Sequence, residues 1–262
     1  MEKKNVALLC DYGLDDAIAT VYLLMHAKRF GRIDILPIAG NFPLAASHSN
    51  AQRLLSNLEH LPDNVRIVDT SEIAQNEEHL PDIHGKDGMG DVLSAAFEPK
   101  APVISYSQWI PEVDSSYVIV SLGPCTVTLD LLKRVGQLPL ILMAGNIAEP
   151  PNFHGYEFNH GMDISAFAEC VKYPHACATL DTCHVPKCDL MRLTLPEEGL
   201  LAKLLAGCLA LSRGRGEQLC CAYDLTAAVY LVHPERFCTE EALDPDGNRI
   251  TLLRYTSEEP IV

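Results

Sequence analysis

The sequence has no apolar run near the roughly 18–20 residues that a membrane-crossing helix needs, which argues against a membrane partner. Basic residues are scarce. There are 20 Lys and Arg against 35 Asp and Glu, a formal net charge of -15. That balance argues against nucleic acid or an anionic membrane surface as the main partner, because both are held by basic patches. No Gly-x-Ser-x-Gly elbow occurs, which argues against a serine hydrolase. "GKDG" at Gly85 lacks the rest of a P-loop, so it is not read as a phosphate cradle. No internal repeat or low-complexity tract is visible. The basic start "MEKKNVALLC" loses its apolar run at Asp11, so no secretion signal is read there. Ten scattered cysteines without such a signal lead to an expectation of free buried thiols and a cytoplasmic location. "TCHVPKC" groups Cys183, His184 and Cys188, but zinc takes four ligands and no second Cys/His pair is obvious.

With 262 residues and 48% hydrophobic content, a full core is available, expected as one domain over residues 1–262. "NVALLC", "IDILPIAG", "VRIVD", "SYVIVSLG", "LPLILMAG" and "CATLD" read as strands. Between them lie helical patterns at about Asp15 to His26, Ala45 to Leu61, Val127 to Val135 and Ser165 to Tyr173. Strands without polar alternation are buried on both faces. The expectation is therefore an α/β fold with an open, mostly parallel β-sheet flanked by helices. Residues 183–222 look mostly helical and suggest a cap on the sheet edge. Residues 70–92 and 144–162 read as long loops, which inside a domain are usually functional. In open α/β sheets ligands bind beyond the carboxyl ends of strands. The residues there are Asp11 to Asp16, Gly40-Asn41, His84 to Asp87, Gly123 to Thr126, Met143 to Asn146 and Glu157 to Asn159. They offer carboxylates, amides and backbone carbonyls, the chemistry of a hard-cation and polyol site.

The densest group is "CDYGLDDA". Asp11 ends a strand, Gly13 allows a tight turn, and Asp15 and Asp16 fall in the first turn of a helix. A helix dipole accounts for one acidic residue there, but not for Asp11 at a buried strand end. Three carboxylates this close repel unless a cation neutralises them. Oxygen-only donors point to Ca²⁺, with Mg²⁺ second.

"CDYGLDDA" resembles the N-terminal motif of the nucleoside hydrolases of the inosine-uridine-preferring type, DTDPGIDDA. Further segments follow in the family's order: Gly40-Asn41, "HGKDGMGD" from His84, "SLGPCT" from Ser121, "MAGN" from Met143, "YEFNHGMD" from Tyr156 and "YDLTAA" from Tyr223. The resemblance implies a nucleoside hydrolase-like fold and Ca²⁺-dependent hydrolysis of the N-glycosidic bond of purine or pyrimidine ribonucleosides. It implies a metal held by Asp11, Asp16, the backbone carbonyl of Thr126 and Asp224, with Asp11 as general base. It also implies a ribose grip from Asp15, Asn41, Glu157 and Asn159, with His84 and Asn152 as further substrate contacts. A small nucleoside or riboside is the implied partner, and a homodimer or homotetramer the implied assembly.

Each position has a plainer reading. Asn41 suits a turn, His84 a loop, and Glu157 and Asn159 a polar surface; Asp224 suits a helix N-cap. Asp163 is read as an N-cap outright. The chain also departs from the pattern. Leu9 stands where a supporting Asp is expected, on the same strand face as Asp11. Tyr12 replaces a Pro, and Val127 an Asn. Tyr223 replaces the His that the family links to leaving-group protonation, and a phenol is a weaker acid than imidazolium. The chain ends 38 residues after Asp224 (262 minus 224), a short tail for the family. These departures open two alternatives: a catalytically impaired ribose- or nucleoside-binding homologue, or a hydrolase of a non-standard N-riboside.

Overall fold

Strand and helix alternate from Asn5 onward in the computed structural model, which describes residues 3–78 and 83–262. The first half contains β1 (Asn5–Cys10), α1 (Leu14–Met25), β2 (Ile33–Pro37), α2 (Leu44–Ser56), β3 (Val65–Asp69), β4 (Val103–Ser105), α3 (Tyr106–Trp109), β5 (Tyr117–Ser121) and α4 (Thr126–Val135). The second contains β6 (Leu140–Met143), α5 (Phe158–Met162), α6 (Ile164–Cys170), β7 (His175–Ala178), α7 (Leu180–Cys183), α8 (Gly199–Gly214), α9 (Tyr223–Val232), β8 (Phe237–Leu243) and β9 (Arg249–Tyr255).

The strands form one sheet in the order β4-β3-β2-β1-β5-β6-β7-β9-β8. Neighbours are parallel except the closing β8–β9 hairpin. The alternating residues of β1 explain why the sheet needs helices on both faces. Val6, Leu8 and Cys10 join one apolar cluster with Ile18, Leu54, Leu205 and Val229, from α1, α2, α8 and α9. Ala7 and Leu9 join a second cluster with Trp109, Leu131 and Phe167, from α3, α4 and α6. No helix among the described residues is long and apolar enough to cross a membrane.

One carboxylate pins the second face. Asp34 of β2 is fully buried. Its Oδ2 accepts from Trp109 Nε1 and Tyr117 OH, each at 2.7 Å, and its Oδ1 accepts from Arg66 Nε at 2.6 Å.

Several sequence expectations need correction. The helix expected to reach Leu61 stops at Ser56, where Asn57 donates its side-chain amide to Arg53 O and caps the end. Residues 183–222 hold one long helix, Gly199–Gly214, besides the end of α7 and a 3-10 turn at Leu190–Arg192; Pro186 and Pro196 each lack the N–H a helix needs. That helix lies against α1, and the β8–β9 hairpin takes the sheet edge instead. β8 is not predicted by the sequence pattern, because FCTEEAL is a mostly exposed edge strand without an apolar run. Nor is β4, only three residues long. The long loops at 70–92 and 144–162 are present except for α5, and residues 79–82 of the first lie outside the described residues.

The Asp34 anchor gives a first prediction. Asp34→Ala strips the acceptor from two buried donors and from Arg66, and should lower unfolding stability by about 3–5 kcal/mol. Urea denaturation should show a lower midpoint with an unchanged slope. A loss below about 1 kcal/mol would show that the three donors find other partners.

Candidate active site

The chain runs outward from β1 through β2 to β4, then returns to place β5 on the other side of β1. That reversal opens a crevice at the carboxyl ends of β1 and β5, the place where open α/β sheets bind ligands. Asp11 follows β1 there, and Gly123-Pro124 follow β5. Glycine is required on both sides. A Cβ on Gly40 would lie 2.0 Å from Asp11 Oδ2, and one on Gly123 would lie 3.1 Å from Asp11 Cβ.

Asp11 and Asp16 are fully buried and Asp224 nearly so. Asn41 grips Asp11 twice, through its backbone N–H to Oδ2 at 2.6 Å and its side-chain amide to Oδ1 at 2.9 Å. Asp16 accepts the backbone N–H groups of Asp11 at 3.2 Å and Gly13 at 2.9 Å. It thereby caps its own helix and fixes the turn. The left-handed residue in that turn is Tyr12, at φ 48°, while Gly13 is extended at φ -73°, ψ -179°. The sequence reading gave the tight turn to Gly13. The structure shows that Gly13 is needed for space, since a Cβ would meet Asn41 and His84 at 2.8 Å. A Pro could not adopt the φ of Tyr12.

Asp15, Asp16 and Asp224 each bring a carboxylate oxygen within 4.8 Å of the others. Asp224 lies in the first turn of α9 but does not cap it, as Ala222 holds the cap position. Burial raises the pKa of Asp11 to about 7 despite the hydrogen bonds that oppose it. Burial first, then neighbouring carboxylate charge, pushes Asp16 and Asp224 well above the usual carboxylate range. Asp15 Oδ1 is buried without a hydrogen-bond partner among the described residues. Thr126 opens α4; its hydroxyl donates to Asp163, which caps α6 as expected.

The glycine-rich loop after residue 82 delivers His84. Asp87 shapes this loop by accepting from the N–H groups of Met89 and Asp91, and Arg53 holds Asp87 at 2.9 Å. Gly85, Gly88 and Gly90 all have positive φ. His84 Nδ1 accepts the N–H of Leu14 at 3.1 Å, which places the proton of the neutral ring on Nε2. Burial lowers the pKa of His84 and favours that neutral form.

Glu157 caps α5. Its carboxylate accepts from the N–H groups of Gly145, Asn159 and His160, and burial raises its pKa to about 7. Asn159 donates to the carbonyls of Leu122 and Met143, which leaves its buried Oδ1 without a partner. Asp15, Asn41, His84, Asn152, Glu157, Asn159, Tyr223 and Asp224 all line one cavity. Asp11 and Asp16 lie buried behind it, and Thr126 is not among its lining residues. Leu9 packs in the second apolar cluster with Ile38, Ile119 and Leu142. Val127 fills the same cluster.

A second cavity shares Asp15, His84, Asn152 and Tyr223 with the first and extends to Leu211, Arg215 and Cys220. From Tyr223, which lines both, a chain of hydrogen bonds runs through His184 of the second cavity to Glu149. Tyr223 OH meets His184 Nε2 at 3.1 Å, and His184 Nδ1 meets Glu149 Oε2 at 2.8 Å. Burial raises the Tyr223 pKa, so the phenol keeps its proton. His184 drew attention only as a neighbour of Cys183 and Cys188. Nothing in its local sequence shows that it faces Tyr223, 39 residues on.

The family model for inosine-uridine preferring nucleoside hydrolases matches residues 6–253. A purine-preferring ribonucleoside hydrolase from Gardnerella vaginalis superposes with a TM-score of 0.71 at 21% identity, over 97% of this chain and 93% of its own. A plant nucleoside hydrolase, PpNRh1, superposes at 0.70 and 20% identity, over 96% of this chain and 86% of its own. An inosine-guanosine nucleoside hydrolase superposes at 0.64 and 18% identity, over 98% of this chain and 88% of its own. Comparison with curated protein sequences gives no significant match. The match over nearly the whole chain, on a fold whose carboxylates converge at the switch point, shows that the chain belongs to the inosine-uridine preferring nucleoside hydrolase family, N-ribohydrolases that act on ribonucleosides.

Proposed function

We propose that the protein is a Ca²⁺-dependent nucleoside hydrolase that cleaves purine or pyrimidine ribonucleosides to ribose and free base. The observation that carries this reading is the convergence of Asp15, Asp16 and Asp224, with buried Asp11 beside them, at a cavity with unpartnered acceptors on Asp15 and Asn159. All-oxygen donors of this charge and number fit a hard divalent cation. Asp11, Asp16, Asp224 and the carbonyl of Thr126 would hold it, with Asp15 also within reach. When bound, the ion neutralises the carboxylates and lowers the pKa of a coordinated water.

The remaining roles belong to the chain. Asp15 Oδ1 and Asn159 Oδ1 accept hydrogen bonds from ribose hydroxyls, and Glu157, Asn41 and Asn152 complete the grip. Asp11, ionised and held by Asn41, takes the proton of the attacking water at C1′. As the N-glycosidic bond breaks, positive charge develops on the ribosyl group and the surrounding carboxylates stabilise it. Tyr223, backed by His184 and Glu149, donates a hydrogen bond to the departing base from the outer cavity. His84 Nε2–H is a further donor on the same wall.

Three predictions test this reading. Asp11→Ala should lower kcat on a nucleoside panel by roughly 10²–10⁴-fold in a reducing-sugar assay. EDTA should abolish turnover and Ca²⁺ restore it. No turnover on any nucleoside with Ca²⁺ confirmed bound would reject the proposal and favour a binding protein.

The second concerns pH. Asp11 and Glu157 have folded pKa values raised to about 7, above the roughly 4 of an unfolded carboxyl. Their contribution to stability is therefore full below about pH 4 and lost as the pH rises through about 7. Metal-free protein should melt at progressively lower temperature across that window, and added Ca²⁺ should raise Tm most at its upper end. A Ca²⁺ effect independent of pH would contradict the assignment.

The third separates Tyr223 from general damage. Tyr223→Phe should slow hydrolysis of natural nucleosides by roughly 10²-fold while sparing 4-nitrophenyl riboside, whose leaving group departs without protonation. Equal losses on both substrates would remove Tyr223 from leaving-group chemistry.

A further inference from the structure

A second cluster of potential ligands lies away from the carboxylates already described. His160 sits in α5, one residue past Asn159, and is fully buried. Its ring stacks on Phe167, with centroids 4.0 Å apart, and lies against Tyr156 on another side. Neither ring nitrogen has a hydrogen-bond partner among the described residues. Burying a polar group without a partner is costly, which marks both ring nitrogens as potential ligand atoms. Nε2 points at the β8–β9 turn, "DPDGN", where it comes within 3.6 Å of Asp246 Oδ2. Buried Asp244 completes the group: one donor atom from each of His160, Asp244 and Asp246 lies within 4.8 Å of the others.

Asp244 already shapes the turn. Its Oδ1 accepts the N–H groups of Asp246 and Asn248, while its Oδ2 accepts only from Asn248 Nδ2 and keeps capacity for another bond. Two ligands of a tetrahedral zinc lie about 3.4 Å apart when the metal–ligand bonds are about 2.1 Å. The 3.6 Å gap between Nε2 and Oδ2 is close to that spacing. Burial also lowers the His160 pKa, which favours the neutral imidazole that binds metals.

We propose that His160, Asp244 and Asp246 form a divalent transition-metal site, with Zn²⁺ as the matching ion. One imidazole and two carboxylates are a borderline donor set that selects such ions over Ca²⁺. The partly exposed Asp246 leaves an entry path and an open position for water. A bound ion would join the edge hairpin to α5, whose cap Glu157 and residue Asn159 line the cavity. The proposal stands apart from the Ca²⁺ assignment and does not need the reaction to be measured.

Metal-free full-length protein should be titrated with ZnCl₂ by calorimetry beside Asp246→Asn and His160→Gln. Both variants keep the other carboxylates and all ten thiols, so the difference isotherm reports this site alone. Wild type should bind one Zn²⁺ that each variant loses or binds at least 10-fold more weakly. Co²⁺ in its place should give visible absorption bands absent from the variants. Zn²⁺ should also raise the Tm of wild type and not that of Asp246→Asn. Should His160→Gln fail to fold, Asp246→Asn, altered in a surface turn, decides alone. Equal uptake by wild type and Asp246→Asn, or no uptake by either, overturns the site and leaves a plain His160–Asp246 contact.

Discussion

Four carboxyl groups held out of water at one end of a parallel sheet are the constraint on which the rest of the site depends. An isolated buried carboxylate is so costly that it either gains partners or takes up a proton. Here the chain supplies partners only in part. Asp16 holds two amides of its own turn, Asp11 is held by Asn41, and Glu157 accepts three N–H groups. Burial still outweighs these bonds, and the carboxyls remain primed for protons or for a cation. The surrounding glycines follow from this. Gly40 and Gly123 let backbone approach Asp11 without displacing it, and Gly13 leaves room for Asn41 and His84.

The site has a rigid half and a looped half. Asp11 and Asn41 stand just beyond β1 and β2, Asp15 and Asp16 open α1, and Asp224 comes from the first turn of α9; Ser47 of α2 donates to Asp11 O. The wall toward the second cavity is made by loop ends and short helices: His84 after a glycine-rich loop, Asn152 before α5, His184 after α7, and Tyr223 at the start of α9. Such a division suits an enzyme that grips one constant sugar and accommodates varied leaving groups.

That division also explains what could be read from the chain beforehand. Buried parallel strands have uninterrupted apolar runs, so β1, β2, β3, β5, β6 and β7 stood out, and the residues following them pointed to the crevice. Residues such as Asn41 and Glu157 sit in local segments that name their own neighbours. The edge hairpin does not stand out in the sequence, because β8 is mostly exposed and carries two adjacent glutamates in place of an apolar run. Nor did the Tyr223–His184–Glu149 chain, whose members come from three separate segments and meet only through folding. The turn at Tyr12 was misassigned because a glycine beside it offered the easier explanation; a buried tyrosine at φ 48° is tolerated because its surroundings hold it there.

The two substitutions that set this chain apart then carry different weight. Leu9 does not point an apolar group into the cavity; it fills the second core cluster beneath the carboxylates. Its effect is to remove one more charge from a group already crowded with them, which eases the repulsion that a cation must offset. Tyr223 is a change of chemistry. A phenol kept protonated by burial cannot cycle its charge near neutral pH as a histidine does; its one O–H serves either His184 Nε2 or a group in the cavity. Behind it, His184 meets the phenol at 3.1 Å and Glu149 at 2.8 Å, so an imidazole still stands next to this position. The two departures thus differ in kind: Leu9 removes a charge beneath the carboxylates, and Tyr223 changes the polar group on the cavity wall.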